Sequence, residues 1–225
     1  MENLNGIVSL LIACIELGFI VNLLIFAEKN YLNKLVITLI GFLFGYQLIE
    51  FLICFVELQS SVFVYVAFLD VSFLSPLGLL VVLRFNNIKS KFIYLIFIPA
   101  LFFALYYPLV LNQLEVTKCT ILYAGYKNPL GFLYGMFYYL PILASVIILI
   151  TKLFKRNNTQ KKKLNRILLV GYIGTFVPEL ILILIFPYML FVVESVLCKL
   201  AFILAVSYTY FALKNKTQPD RQKNV

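Results

Sequence analysis

Seven hydrophobic stretches fill the chain, and they predict an all-α fold: a bundle of seven transmembrane helices. Three observations carry that prediction. Each stretch is long enough to cross a hydrocarbon core of about 30 Å, which takes roughly 20 apolar residues rising about 1.5 Å apiece. Apolar residues recur on every face of each stretch, whereas a helix at the surface of a water-soluble protein keeps a polar stripe. The basic residues, finally, fall in alternate connections, as they do in multi-pass proteins.

The first stretch, Leu4 to Phe26, follows an acidic segment, Met1 to Gly6, where a cleavable signal would be basic, so the helix is expected to be retained. The second, Leu35 to Phe55, sets Gln47, Glu50 and Cys54 at helical spacing on one polar face. The third, Val62 to Leu83, carries Asp70 and Pro76, and the fourth, Phe92 to Leu111, carries Pro99 and Pro108. The connection Asn112 to Asn128 holds Glu115, Lys118, Cys119 and Tyr123 and is long enough to fold over the mouth of the bundle. Leu130 to Leu149, with Pro141, leads into the polar run KRNNTQKKKLNR, which lacks apolar patterning and reads as a solvated loop. Ile167 to Tyr188 contains Pro178, Glu179 and Pro187, and Leu190 to Leu213 contains Glu194, Ser195, Cys198 and Lys199. Prolines inside spans kink helices, and kinked bundles make cavities. With Trp absent, Tyr106, Tyr107, Tyr123, Tyr126 and Tyr188 are the expected interfacial anchors.

Orientation follows from charge. Lys118 and Lys127 lie on one side and Lys199 lies within a span, while all the other Lys and Arg fall on the opposite side. Cytoplasmic loops retain Lys and Arg, so the amino terminus is expected outside and the carboxyl terminus in the cytoplasm. Residues 1–213 then form one membrane domain, and 214–225 a short basic tail too small to be a domain. The positive excess is a topological signal rather than a nucleic-acid footprint. Its expected partners are anionic lipid headgroups at the basic fifth connection and, beyond them, a cytoplasmic signalling protein.

Six ionisable residues lie inside the spans: Glu16, Glu50, Asp70, Glu179, Glu194 and Lys199. A charge at a helix centre costs roughly 2.5–3.5 kcal/mol on insertion scales, so these imply internal pairing, protonation or a wet cavity. Glu50, Asp70, Glu179 and Lys199 fall roughly 10–15 Å below the outer surface by residue count, with Glu194 shallower and Glu16 near the midplane. One reading makes them structural glue, with Lys199 paired to a carboxylate, Asp70 at matching depth being the expected partner. The other is an outward-facing polar pocket for a small ligand, built from Gln47, Glu50, Asp70, Glu179, Glu194 and Lys199.

Cys14, Cys54, Cys119 and Cys198 lack metal-ligand spacing, and with no His in the chain a zinc site and His-dependent catalysis are not expected. The chain does not read as an enzyme. Cys119 in the outer loop and Cys54 near the outer end of the second helix could form a disulfide, but free thiols are the expectation.

The second helix reads GYQLIEFLIC, the third AFLDVSFLSPLGLLVVLRF, and the sixth RILLVGYIGTFVPELILIL after a basic loop. This resembles the seven-helix amino-terminal sensor region of many prokaryotic histidine kinases, whose third helix runs through a proline to a basic exit, as Pro76 to Arg84 do here. Gly171 followed by Pro178 is similar to their sixth helix. The kinase of that family is missing here. The resemblance implies a receptor-like sensor in a prokaryotic plasma membrane, working through a separate cytoplasmic partner, and it supplies no ligand residues. A weaker similarity is to microbial rhodopsins, with Lys199 as the retinal Schiff-base lysine and Asp70 as counterion. The tryptophans that flank retinal are absent, and Ser195 stands where an acid precedes the lysine, so no cofactor is expected. The remaining alternative is proton, cation or small-solute transport, since acids on several helices also mark ion paths.

Overall fold

The structure, a computed structural model, describes residues 4–88, 93–155, 159–185 and 192–215, without the side chains of residues 193 and 194. Lys89, Lys91, Arg156, Pro187, Tyr188 and the tail beyond Asn215 lie outside the described residues, as does the Glu194 side chain. The elements are α1 (Ile7–Phe26), α2 (Tyr31–Cys54), α3 (Ser61–Phe85), α4 (Ile98–Tyr106), β1 (Glu115–Cys119), β2 (Ala124–Lys127), α5 (Gly131–Lys155), α6 (Thr159–Ile185) and α7 (Val193–Lys214). All seven helical spans are long and apolar enough to cross a membrane.

α1, α2, α3, α5, α6 and α7 close a ring in that order, α7 meeting both α1 and α2, while α4 lies outside against α3. The core between them is apolar, with Val36 and Ile40 of α2, Val81 and Val82 of α3, Leu168 of α6 and Phe211 of α7 all buried. Outward, Leu24, Leu105, Phe154 and Leu184 are exposed. Bare apolar surface on this scale requires a hydrocarbon surround, so this is a multi-pass membrane protein.

Two glycines set the helix spacing. A Cβ on Gly171 would lie 2.6 Å from Ser207, so α6 and α7 approach backbone to backbone there. A Cβ on Gly78 would lie 2.6 Å from the Tyr172 hydroxyl. That hydroxyl and Tyr208 are 2.9 Å apart, a buried polar pair against the α3 backbone. Near the α5 proline, Ser75 donates to the Tyr138 carbonyl at 2.7 Å, a bond from α3 to the turn of α5 in which Pro141 removes the amide that would have bonded the Phe137 carbonyl.

Three features differ from the expectation. The fourth span is interrupted: short 3-10 turns at Ile93–Phe97 and Tyr107–Gln113 flank a nine-residue α4, because Pro99 and Pro108 remove amide donors. The run KRNNTQKKKLNR is mostly helical rather than a loop, since α5 continues to Lys155 and α6 starts at Thr159. Lys and Gln are good helix formers, and Leu164 and Asn165 are buried, with Asn165 accepting from Asn86 at 3.1 Å.

The third is a β-hairpin in the fourth connection, pairing Glu115 with Lys127 and Cys119 with Ala124, irregular between Val116 and Lys118. It folds over one end of the bundle. A disulfide joins Cys119 of β1 to Cys54 at the end of α2, correcting the expectation of free thiols; Cys14 and Cys198 are free. Folding the hairpin inward brings the two Cα atoms to 5.4 Å, within bonding range. Two more bonds fasten it: the Gly6 amide donates to the Thr120 carbonyl at 2.9 Å and the Ala124 amide to Ser195 Oγ at 3.0 Å. Gly6 adopts φ +76°, and a Cβ there would press on Cys54 at 3.1 Å.

Candidate functional site

A polar network lies directly beneath the hairpin. Glu50, on the inner face of α2, is 1% exposed, and it gathers three donors from two other helices. Lys199 Nζ of α7 donates to Glu50 Oε1 at 2.7 Å and to Gln47 Oε1 at 2.8 Å. Ser9 of α1 donates to Oε1 at 3.1 Å and Ser195 of α7 to Oε2 at 2.9 Å. Gln47 returns a bond through Nε2 to the Cys198 carbonyl at 2.9 Å. Spacing explains the convergence: Gln47 and Glu50 are three residues apart, Ser195 and Lys199 four, so each helix presents its pair on one face. Since Ser195 also receives the Ala124 amide, the network runs without a break from the ion pair to the hairpin.

The expected partner of Lys199 is therefore corrected. It pairs with Glu50 rather than Asp70. Depth alone matched both acids, and the rotation of α2 and α3 about their axes decides between them. Asp70 leans against the α2 backbone instead, where a Cβ on Gly45 would come within 3.2 Å of its Oδ2, and that oxygen is buried without a hydrogen-bond partner. Glu16 is fully buried with neither carboxylate oxygen hydrogen-bonded, and it interacts electrostatically with Lys199 and Asp70.

Glu179 belongs to a different place. It accepts from the Tyr139 hydroxyl, which joins α6 to α5. Of the six residues singled out in the sequence, then, the structure brings Gln47, Glu50 and Lys199 together, sets Asp70 on the flank and Glu179 across the bundle, and leaves the Glu194 side chain undescribed. Sequence reading passed over Ser9 and Tyr139. Ser9 had a signal, for it lies two turns before Glu16 on the same face, along with Ala13 and Leu23. Tyr139 had none that separates it from its neighbours.

Space for a ligand opens beside this network. A cavity of about 730 Å³ opens between α5 and the hairpin-side ends of α6 and α7. Thr117, Lys127 and Asn128 form its hairpin end; Val71, Gly135, Met136, Tyr138, Tyr139, Ile183 and Leu197 form its deeper walls. The lining is mostly apolar, and the volume lies within the range of small-molecule sites. Leu197 joins cavity and network, because the next two residues of α7, Cys198 and Lys199, hold Gln47 and Glu50. Lys199 itself does not line the cavity.

Among the described residues no cluster of His, Cys, Asp and Glu is placed to hold a metal ion. Comparison of the chain with family models, with curated proteins and with solved structures returns no match, so the function has to be read from this geometry.

Proposed function

We propose that this protein is a receptor-like membrane sensor in a prokaryotic plasma membrane, with the hairpin end outside and the basic end in the cytoplasm. A ligand occupies the cavity between α5, α6 and α7, and the signal passes to a separate cytoplasmic partner. One observation carries the reading: consecutive residues of α7 face the cavity and the buried ion-pair network. A ligand that presses on Leu197 moves the helix that holds Gln47, Glu50 and the hairpin. The two helices that wall the cavity, α5 and α6, run on to the basic connection bearing Lys152, Lys155, Lys161, Lys162, Lys163 and Arg166. Spreading them at one end changes their spacing at the other, where anionic headgroups and a partner meet those charges. The disulfide supports the orientation, since such bonds persist in oxidising compartments outside the cytoplasm.

The test replaces the ligand with a side chain. Gly135 lines the cavity, and a Cβ there meets nothing within 4 Å, so Gly135→Leu adds bulk to the cavity without a clash at its root. Spin labels at Lys152→Cys and Lys161→Cys, with Cys14 and Cys198 replaced by Ser, report the spacing of α5 and α6 at the basic end. A changed distance distribution in Gly135→Leu is the expected result, and an unchanged one overturns the coupling. Proton or cation uptake into proteoliposomes that disappears in Glu50→Gln would replace the sensor reading with transport.

A further inference from the structure

We infer that the ligand of this cavity is a single-chain amphiphile with a small anionic head, a fatty-acid chemistry, which enters sideways from the bilayer between α5 and α6. The inference deepens the sensor reading and rests on its cavity. Three features of the walls select this class. The first is polarity arranged in depth. Thr117, Lys127 and Asn128 stand at the hairpin end, and the walls below are apolar and aromatic, extending about 12 Å along α5 from Gly131 to Tyr139 at 1.5 Å per residue. A head with one hydrocarbon tail matches that gradient, whereas a sugar or an amino acid would leave its polar groups against Val71, Met136 and Leu197 at a desolvation cost.

The second feature is the route. Phe132 and Met136 line the cavity and are 86% and 49% exposed, so the α5 wall is open on the side facing hydrocarbon. The hairpin, held by the disulfide and by its bonds to Gly6 and Ser195, covers the bundle end instead. A ligand already dissolved in the membrane reaches the cavity without lifting that cover.

The third is charge. Lys127 is the cation among the described lining residues. Its contact with Glu115 is long, at 4.0 Å, and both side chains are mostly in solvent, at 70% and 59% exposure. Such exposed pairs contribute little, so the ammonium exchanges Glu115 for an incoming carboxylate at little cost. A zwitterionic two-chain phospholipid gains less from a single cation and brings a second chain.

Photolabelling tests this. The purified protein in phosphatidylcholine vesicles is irradiated with a palmitic acid analogue bearing a diazirine in its chain, and adducts are mapped by peptide mass spectrometry. Adducts should concentrate on residues 131–139 and on Ile183 and Leu197, and excess unlabelled palmitate should compete. Gly135→Leu should reduce them at least tenfold, while Gly18→Leu, whose added Cβ also meets nothing within 4 Å but lies on α1, should leave them unchanged. Met136→Trp provides a second filling variant, and each variant is first checked for a monodisperse size-exclusion profile. Lys127→Glu should weaken labelling by the acid several-fold and leave labelling by the corresponding fatty alcohol unchanged. Adducts spread evenly over lipid-facing positions such as Leu11, Leu24 and Phe154, or indifferent to Gly135→Leu, would overturn the inference. Equal labelling by acid and alcohol would overturn the anionic head. If the spin-label distances respond to Gly135→Leu while photolabelling fails, the sensor reading stands and this ligand class falls.

Discussion

Glu50 shows how little of a buried charge's role lies in its own identity. Its carboxylate is surrounded by Lys199, Ser9 and Ser195, each from a segment distant in sequence. Removing one partner of a buried pair leaves a charge with no compensation, which typically costs about 3–5 kcal/mol, whereas removing both can be nearly neutral. Lys199→Met should therefore destabilise the protein by an amount of that order in reversible unfolding, and Lys199→Met with Glu50→Gln should recover much of the loss. Asp70→Asn combined with Lys199→Met should recover little, because Asp70 is not the partner; a recovery equal to that of Glu50→Gln would contradict the observed pairing. The ionisable residues themselves were legible in the sequence, as was the pairing of one Lys with one acid. The choice of Glu50 was not, since residue count measures depth and not the direction in which a side chain points.

At the level of elements, glycine positions separate contact from cavity. Gly171 is a contact: Leu in its place would drive α6 away from Ser207, and overpacking of this kind costs about 1–3 kcal/mol. Gly135 is not, so Gly135→Leu should keep the wild-type thermal midpoint while Gly171→Leu lowers it, a contrast readable in one melting experiment. Similar losses in both would mean that α5 packs more closely than observed. The hairpin is the other element with a measurable contribution. Its disulfide closes a loop between residues 65 apart in sequence, and native disulfides contribute typically 2–4 kcal/mol. Cys54→Ser with Cys119→Ser should lower stability by about that range and expose the segment around Ile121 and Leu122 to protease. Unchanged mobility on reduction of the wild-type chain in non-reducing gels, together with free-thiol labelling of both residues, would show the bond to be absent. That the fourth connection could cover the bundle was visible from its length; its strand pairing was not, because Val116 and Tyr126 meet only after the ends of α4 and α5 are positioned.

The whole molecule is a ring of helices with charge at one end and a covalently fastened cap at the other. If the basic end is cytoplasmic, a reporter fused after Val225 should be active only in the cytoplasm. A thiol at Leu122→Cys, 62% exposed on the hairpin, should react with a membrane-impermeant maleimide on intact cells. Labelling only after lysis would invert the orientation and with it the side from which the cavity is filled.

The seven spans, their approximate limits and the membrane environment were determined by the sequence alone, because hydrocarbon imposes a length and an apolarity that local composition must satisfy residue by residue. The same local rule explains the errors at the ends: outside the hydrocarbon, helix propensity takes over, and α6 runs back through Lys161 to Thr159 although the run is polar. Which groups meet was decided only by tertiary structure. Packing of α7 against α1 and α2 brings Lys199 to Glu50, the approach at Gly171 sets α6 on α7, and the separation of α5 from α7 leaves a cavity that no residue type announces. Helix rotation and helix spacing are properties of pairs of surfaces, and a single chain read in order contains each surface without stating which other surface it faces.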